Sequence, residues 1–499
     1  MVFSSYLFLF YFLPVALLLY YAAPRRLKHL FLTALSYFFY GWANPLFVPL
    51  LLFSTTIDYL CGLYIARVRG LAGPTPTPVT ASTTTGPTQG AGVGAASAQA
   101  DRRARRALAV SICTNLGLLG FFKYFNFGVD NINGLAMATG LDALRLDTAL
   151  RVTLPLGISF YTFQSMSYAW DVYRGRAAAI TNFIDFACYV SMFPQLVAGP
   201  IIRFSEVADQ LRSRTHTVTK FARGVAFFSV GMAKKVLLAN PCGKIADLAF
   251  EAGSLTTIDA WYGITAYAFQ IYFDFSAYSD MAIGLGLMLG FVFPKNFDSP
   301  YLSQSITEFW RRWHISLSTW LRDYLYVPLG GNRKGPLRTY VNLFIVMLLG
   351  GLWHGASWNF VIWGGLHGSF LAFERMQGKT APYWRLPAPA RVAVTFVVVL
   401  VTWVFFRAPD LPAAGRYLAS MVGFAEVQPG AALLAGIVYQ PYYLFTFIAA
   451  AIVTWTCPQT WDWSRTITAP KAVMVAAAFV MATVMLTTQA FNPFIYFIF

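Results

Sequence analysis

The sequence has 499 residues, of which 57% are hydrophobic and only 12% are charged. An average soluble domain carries roughly 25% charged residues, and one soluble domain cannot sustain a core that buries this much apolar surface. The composition excludes a soluble globular protein and indicates a polytopic helical membrane protein. The net charge is +16. The basic residues occur in short runs between apolar tracts, which is typical of cytoplasmic loops and argues against nucleic-acid binding.

The N-terminal region, residues 1–70, predicts transmembrane helices. Its first apolar run, 5–22, is followed by the basic cluster 24–28 rather than preceded by one, so we interpret it as a retained helix and not as a cleaved signal peptide. The stretch 30–65 is long enough to cross a bilayer and return, with a turn at Gly-Trp-Ala-Asn-Pro, 41–45.

Residues 71–106 predict a flexible cytoplasmic linker. Positions 71–100 are low-complexity, rich in Pro, Thr, Gly and Ala, and contain no charged or aromatic residue. Such a segment buries too little surface to offset the entropy of ordering. The arginines that follow, at 102–106, fit a cytoplasmic location. The remainder, 107–499, predicts a helical core and C-terminal transmembrane helices.

Apolar tracts of spanning length recur through this remainder. Together with the N-terminal helices they predict about 11 crossings, give or take two. Those that contain glycine, proline or polar groups are candidates for re-entrant segments. The predicted spans are 107–124, 153–172, 183–201, 224–240, 258–274, 276–293, 340–353, 357–374, 391–407, 440–456 and 471–489.

Two carboxylates, Asp274 and Asp280, interrupt one of these apolar tracts. They are 280 − 274 = 6 residues apart, so on a regular helix they do not share a face and make a poor acid/base dyad. A lone buried carboxylate is expensive, and we therefore expect at least one of them to pair with a nearby Arg or Lys.

The segment 294–334 is rich in both charge and aromatic residues. Apolar residues recur at three- and four-residue spacing, which predicts an amphipathic helix, and Ser305 with Glu308 resembles a capping box at its start. Arg311, Arg312 and Arg322 accompany its polar side. Two interpretations stay open: an interfacial helix on the cytoplasmic leaflet, or a basic vestibule for a phosphate-bearing donor. The apolar positions are Phe309, Trp313, Leu317, Trp320 and Leu321.

An imidazole at membrane depth is the strongest chemical signal in the chain. His354 lies in the stretch 348–368, which contains no Asp, Glu, Lys or Arg but has three tryptophans and a second histidine, His367. Polar rings at this depth are functional suspects, and histidine suits proton transfer near neutral pH. The alternative is a packing histidine, since Gly350, Gly351 and Gly355 favour close helix approach as much as room for a substrate.

Other catalytic signatures are missing from the sequence. There is no GxSxG nucleophile motif, no P-loop and no HExxH, and the five cysteines are scattered without metal-ligand spacing. A metal site is therefore not expected. A lone histidine that acts as general base on a bound hydroxyl is the economical mechanism.

Four long motifs resemble the membrane-bound O-acyltransferase (MBOAT) family, and within it the bacterial branch whose best-known member acetylates alginate. Shorter stretches at 123–127, 154–175 and 492–499 fit the same branch, whereas the low-complexity stretch 71–100 departs from it. The motifs are FPQLVAGPIIRF (193–204), YAFQIYFDFSAYSDMAIGLGLMLGF (267–291), NFDSPYLSQSITEFWRRWHISLSTWLRDYLYVPLGG (296–331) and GGLWHGASWNFVIWGGLHG (350–368).

The resemblance implies an all-α membrane enzyme with a central funnel, located in the bacterial inner membrane. It implies that His354 and His314 are the catalytic histidines. The donor is expected to be acetyl-CoA at the cytoplasmic side, with no bound cofactor. Periplasmic partners of the SGNH type would complete transfer to a polysaccharide. The expected substrate-binding residues are Lys295, Asn296, Arg311, Arg312, Trp313, Trp353 and Asn359, with Lys295, Arg311 and Arg312 on the donor phosphates and Asn359 or His314 as an orienting or stabilising group.

Alternatives remain at this point. The same pattern is compatible with D-alanyl transfer to teichoic acid, or with acetylation of peptidoglycan or cellulose. A protein of another class, a non-catalytic translocator of polysaccharide or lipid-linked sugar, could use a similar cavity.

Overall fold

The computed structural model describes residues 2–70, 91–146, 151–197, 199–378, 382–428 and 431–489. Every regular element in these ranges is helical, so the predicted all-α class is confirmed. The first part of the predicted linker, 71–90, and the terminal motif at 492–499 lie outside the described residues.

Two compact units make up the chain. The N-terminal unit runs from Phe10 to Val197 and includes Ile201–Thr215, and the C-terminal unit begins at His216 and includes Val2–Leu9. The helices of the N-terminal unit are α1 (Leu13–Ala22), α2 (Lys28–Gly41), α3 (Val48–Val68), α4 (Ala91–Thr139), α5 (Ile158–Tyr173), α6 (Phe183–Ser191), α7 (Phe193–Leu196) and α8 (Phe204–Arg212).

The predicted turn between the second and third helices is confirmed. Helix α2 ends at Gly41, and Asn44 accepts a hydrogen bond from the backbone N–H of Leu46 at 3.0 Å. The predicted linker is wrong in its second half, because residues 91–106 belong to α4. Asp101 pairs with Arg69, the residue that follows α3, and with Arg105 one turn on. These pairs together with alanines favour helix.

A buried carboxylate joins α3 to α4. Asp58 is fully buried and accepts hydrogen bonds from Ser111 Oγ at 2.5 Å and from Asn115 Nδ2 at 2.9 and 2.8 Å. Since burying a carboxylate without partners is costly, these two side chains, one turn apart on α4, fix how α3 and α4 pack.

The helices of the C-terminal unit carry the predicted site. They are α9 (Val218–Ala233), α10 (Asn240–Glu251), α11 (Thr257–Met288), α12 (Ile306–Arg312), α13 (Ile315–Leu321), α14 (Pro336–His354), α15 (Trp358–Gln377), α16 (Ala388–Arg407), α17 (Leu411–Met421), α18 (Ala431–Val438), α19 (Pro441–Thr456), α20 (Thr460–Trp463) and α21 (Ala469–Thr488).

Shorter helical turns complete the described part of the chain. The π-helical turns are Leu7–Phe12, Lys234–Ala239 and Arg322–Tyr326. The 3-10 turns are Arg25–Leu27, Pro45–Phe47, Asp142–Leu144, Pro300–Leu302 and Pro382–Arg385.

Helix α11 corrects one prediction. The two spans expected at 258–274 and 276–293 form one continuous helix that ends at Met288. Asp274 and Asp280 do not break it, because Lys235 Nζ lies 2.7 Å from Asp274 and Lys234 Nζ lies 2.8 Å from Asp280. The expectation that at least one carboxylate is paired is confirmed for both.

Five helical segments among the described residues are long and apolar enough to cross a membrane, and two shorter apolar helices accompany them. This supports a polytopic membrane protein, while the number of 11 crossings stays a prediction. The five are Pro45–Val68, Ser97–Thr139, Pro336–His354, Ala388–Arg407 and Ala469–Thr488, and the shorter two are Leu7–Ala22 and Pro441–Thr456.

Candidate active site

Helices α14 and α15 form an antiparallel hairpin that carries His354. Three residues connect the helices, and His354 is the last residue of α14. A Cβ on Gly351 would lie 2.2 Å from the carbonyl oxygen of Phe360, and one on Gly364 would lie 2.5 Å from the carbonyl oxygen of Met347. These contacts show that glycine here serves close helix approach, one of the two interpretations open from the sequence.

His354 is buried among aromatic rings. Only 6% of it is exposed, and its ring centre lies 4.9 Å from that of Trp353, 5.2 Å from Trp363 and 5.2 Å from Phe406. His354, predicted to be catalytic, and Trp353, predicted to bind substrate, therefore lie in a water-poor environment. In such an environment electrostatic interactions with a reacting group are strong.

His367 lies one turn after Trp363 on α15, with the two ring centres 4.8 Å apart. It is fully buried, and the indole Nε1–H of Trp310 donates to its Nδ1 at 3.2 Å. Because an indole nitrogen can only donate, the neutral imidazole must carry its proton on Nε2. Sequence reasoning noted His367 but gave it no role, although its spacing of four residues from Trp363 was a usable signal.

His314 interrupts the predicted amphipathic helix. It separates α12 from α13 and has a φ of +44°, a strained value for a non-glycine residue. The apolar positions predicted for one helix are all buried, but they are divided between two. Ser305 does cap α12 by accepting from the backbone N–H of Glu308 at 3.1 Å, whereas the Glu308 carboxylate accepts from Gln304 instead of Ser305.

Asn296 holds the ring of His314. The Asn296 amide oxygen accepts from the backbone N–H and the hydroxyl of Ser316 at 3.2 and 2.9 Å, and lies 3.3 Å from His314 Nδ1. The Ser316 N–H fixes this atom as an oxygen, so His314 Nδ1 carries the proton. Burial lowers the pKa of His314 to about 3, which keeps the ring neutral. Its ring centre lies 6.2 Å from that of Trp353, which links His314 to His354.

A cavity of about 970 Å³ opens beside this cluster and is lined by residues of α12, α14 and α15 among others. Arg311 and Arg312, two of the predicted donor-binding residues, both line it. Arg312 is paired with Glu308 at 2.7 Å, but Arg311 is exposed and has no carboxylate partner among the described residues. Arg375, which the sequence analysis did not single out, also lines the cavity, is exposed and is likewise without an ion pair in the described part of the chain.

Glu374 attaches α15 to the start of α12. Its carboxylate oxygens accept from the backbone N–H groups of Ile306 and Thr307 at 2.7 and 2.9 Å, which satisfies two donors of the first turn. Trp310 of the same helix lines the cavity and also donates to His367. One wall of the cavity therefore contacts the buried His367 directly.

Lys295 is not a free cation. Its Nζ lies 2.7 Å from Asp298 and 2.9 Å from Asp462, and this ammonium holds the pKa of Asp462 below its ordinary value. The carboxylates of Asp298 and Asp462 therefore balance the charge of the Lys295 ammonium, which was predicted to hold donor phosphates. Of the remaining predicted residues, Trp313 is buried against Trp403 and Phe309, and Asn359 Nδ2 donates to the carbonyl of Ala408 at 2.7 Å, beyond the end of α16.

The described residues include no group of three or more His, Cys, Asp or Glu side chains that could hold a metal ion. The chemistry that the described groups themselves offer is proton transfer at buried imidazoles, next to a cavity with two unbalanced guanidinium groups.

Comparison with known proteins gives one consistent family. The sequence model of the membrane-bound O-acyltransferase family matches residues 174–408, a range that includes His314, His354 and His367. The chain is 43% identical over 519 residues to the probable alginate O-acetylase AlgI of Pseudomonas putida, with 100% of each chain covered.

Two more distant relatives differ in their named acceptors. The peptidoglycan O-acetyltransferase of Helicobacter pylori is 37% identical over 462 residues, 86% of this chain and 81% of that one. The teichoic acid D-alanyltransferase of Streptococcus thermophilus is 29% identical over 228 residues, 43% of this chain and 55% of that one.

Proposed function

This chain belongs to the membrane-bound O-acyltransferase family and is an O-acyltransferase, and we propose that it takes an acetyl group from acetyl-CoA at the cytoplasmic face of the inner membrane. The acetyl group is moved across the membrane for O-acetylation of an exopolysaccharide such as alginate. His354 serves as the general base.

The observation that carries this proposal is the continuous ring contact between His354 and the cavity. His354 contacts Trp363, Trp363 contacts His367, and His367 accepts from Trp310, which lines the cavity. A thioester that extends from the cavity toward His354 leaves water behind, which suppresses hydrolysis and strengthens every polar contact to the reacting carbonyl.

Charge at the cavity supports an anionic donor. Arg311 and Arg375 present guanidinium groups that no described carboxylate balances, and guanidinium matches phosphate oxygens in geometry and charge. Lys295 and Arg312 have carboxylate partners, which make them weaker phosphate ligands than these two arginines.

The reaction needs one base that later becomes an acid. His354 takes the proton of an acceptor hydroxyl, and the oxygen attacks the thioester carbonyl. The tetrahedral intermediate then collapses with cleavage of the C–S bond, and the CoA sulfur receives the proton from the imidazolium. The products are an acetyl ester and CoA–SH. His314, with its proton on Nδ1, has an Nε2 without a hydrogen-bond partner among the described residues, and this atom can orient the hydroxyl.

Relatives named alginate O-acetylase, at 43% identity over the whole chain, support alginate as the acceptor class. Delivery through periplasmic partners of the SGNH type follows from the family resemblance. The relatives named for peptidoglycan and teichoic acid indicate the alternatives. In the same test these are a different acceptor polymer and a D-alanyl donor.

The test is transfer of label from acetyl-CoA by the detergent-purified protein, with and without a periplasmic fraction and alginate. The variant is His354→Ala, and His216→Ala, a histidine exposed at the surface, is the matched control. We expect turnover in the wild type and the control, and a kcat lowered by about 10³-fold or more in His354→Ala.

Retained transfer in His354→Ala would remove this residue from the mechanism. Turnover of a D-alanyl carrier in place of acetyl-CoA would change the donor. Polysaccharide flux with no acyl turnover would instead support a translocator.

A further inference from the structure

We propose that Trp363 and His367 form the oxyanion hole of this enzyme, with the indole Nε1–H and the imidazole Nε2–H as its two donors. The proposal rests on the proposed function, because it takes His354 as the base and an acyl carbonyl as the reacting group. It gives a catalytic role to Trp363 and His367, which have no role in the proposed function.

The tautomer of His367 makes it a donor. Trp310 donates to Nδ1 at 3.2 Å, which leaves Nε2 with the proton. That Nε2 is buried and has no hydrogen-bond partner among the described residues. A ring held in this state presents a fixed N–H to its surroundings and cannot act as a base through the same atom.

Trp363 supplies the second donor. It is 1% exposed, and its Nε1 is also without a hydrogen-bond partner in the described part of the chain. A buried donor left unsatisfied costs about 1–3 kcal/mol, and such groups call for an explanation such as a catalytic role. Here two of them lie on rings whose centres are 4.8 Å apart.

A neighbouring indole shows that the environment can satisfy a tryptophan. Trp403 stacks on Trp363 with ring centres 5.9 Å apart and an interplanar angle of 14°, and its Nε1 donates to the hydroxyl of Tyr301 at 3.2 Å. The two indoles are alike in burial and differ in whether the N–H is used. Trp403 is therefore a matched control for Trp363.

The position of the two donors fits the chemistry. The ring centre of Trp363 lies 5.2 Å from that of His354 and 4.8 Å from that of His367. In this proposal the carbonyl carbon attacked beside His354 has its oxygen turned toward the two donors. As the acceptor oxygen bonds to that carbon, the C=O electron pair moves onto oxygen, and the two N–H groups stabilise the negative charge until the C–S bond breaks. Removal of one such donor typically lowers kcat about 10²–10³-fold.

The first experiment compares Trp363→Phe, His367→Phe and the control Trp403→Phe in acetyl transfer from labelled acetyl-CoA. We expect kcat to fall about 10²-fold in each of the first two, with KM for acetyl-CoA within about twofold of the wild type. The control should lose much less. Equal losses in Trp363→Phe and Trp403→Phe would overturn the proposal, because the loss would then follow from packing.

A second measurement needs no turnover. The ketone analogue of acetyl-CoA, in which CH2 replaces the sulfur, is labelled with ¹³C at the carbonyl, and isotope-edited infrared spectra are recorded with the bound protein. Hydrogen bonds from the two donors should lower the C=O stretching frequency in the wild type and in Trp403→Phe. In Trp363→Phe and His367→Phe the frequency should rise toward the value in water-free solvent.

An unchanged frequency in both variants would overturn the proposal even if activity falls, and would assign the two N–H groups to buried water. Failure of the proposed function is distinguishable from this result. A wild-type protein that neither binds the analogue nor turns over acetyl-CoA contradicts the donor, whereas a protein that binds it with an unperturbed carbonyl contradicts only the oxyanion hole.

Discussion

The two sides of His354 each contain a buried neutral histidine, and they are built in opposite ways. On one side His314 faces the amide oxygen of Asn296 and must donate through Nδ1. On the other side His367 faces the indole N–H of Trp310 and must accept through Nδ1. His314 is left with a bare Nε2 that can accept, and His367 with a protonated Nε2 that can only donate.

The difference teaches that the partner, and not the imidazole, decides what a buried histidine can do. Two rings of the same chemical type, each linked to His354 through one tryptophan, differ by the position of one proton. The backbone differs as well: His314 has a left-handed conformation between two short helices, while His367 lies within the regular helix α15. The strained backbone therefore belongs to the histidine whose Nε2 can accept a hydrogen bond.

The strongest test of this comparison is a double-variant cycle on the base and the donor. We expect His354→Ala to lower kcat by about 10³-fold or more, and His367→Phe by about 10²-fold. Because both act on the same transition state, the double variant should be little worse than His354→Ala alone. Steady-state acetyl transfer measures all three, and strictly multiplicative losses would show that the two residues act independently.

A weaker effect is expected when the partners are removed and the histidines are kept. Trp310→Phe frees His367 Nδ1, and Asn296→Leu frees His314 Nδ1, so each ring can adopt its other tautomer and kcat should fall roughly 10-fold, less than on loss of a donor itself. ¹⁵N NMR of histidine-labelled protein separates the two tautomers. Trp310→Phe should change the signals of His367 alone, and a spectrum with no change in either variant would contradict the assignment of both protons.

Arg375, which lies on the same helix α15 as His367, tests binding of the acyl donor acetyl-CoA. Arg375→Ala should raise KM for acetyl-CoA about 5–10-fold, a loss typical of a charge-assisted hydrogen bond, with kcat unchanged. The increase should shrink at high salt because exposed charges are screened. Arg312→Ala, whose guanidinium is already paired with Glu308, is the control, and an equal increase in that variant would contradict the distinction between paired and unpaired arginines.

The smallest expected effect is on stability and not on catalysis. Burial lowers the pKa of His314 from an ordinary 6.5 to about 3. Between these two pH values His314 is neutral in the folded protein and protonated in the unfolded chain. The stability that depends on the neutral ring is present above pH 6.5 and is lost as the pH falls toward 3. Between pH 7 and pH 5 the Tm of the wild type in detergent should fall a few degrees more than that of His314→Gln.

Parallel loss in the two proteins would show that other groups dominate the acid sensitivity. In that case the neutral state of His314 would make no measurable contribution to stability over this pH range.

Local features of this architecture could be predicted from the sequence. The all-helical class, the turn at 41–45, the cap at Ser305 and the paired carboxylates of α11 follow from composition, spacing and the cost of burying charge. The break at His314 could not be predicted, because the apolar spacing continues through it and a positive φ leaves no mark on that periodicity.

Long-range partners account for the rest of what was missed. The proton position on His367 depends on Trp310, which is 57 residues away in the chain. Lys295 was expected to be a phosphate ligand, but Asp462, 167 residues away, balances its charge. Arg375 gained its importance only because no carboxylate reaches it among the described residues. Spacing along a chain describes neighbours on one helix and carries no information on such pairs.

The glycine contacts between α14 and α15 have a consequence for genetics. Gly351 and Gly364 have no space for even one additional carbon atom, so a change to alanine at either must shift one helix against the other and move His354 relative to Trp363. Such alleles would retain every reacting side chain and still inactivate the enzyme, because the side chains would no longer be in register. In a saturation screen for loss of acetylation, these two positions should therefore be as intolerant as the histidine itself, and would be mistaken for catalytic residues by any reader of the screen alone.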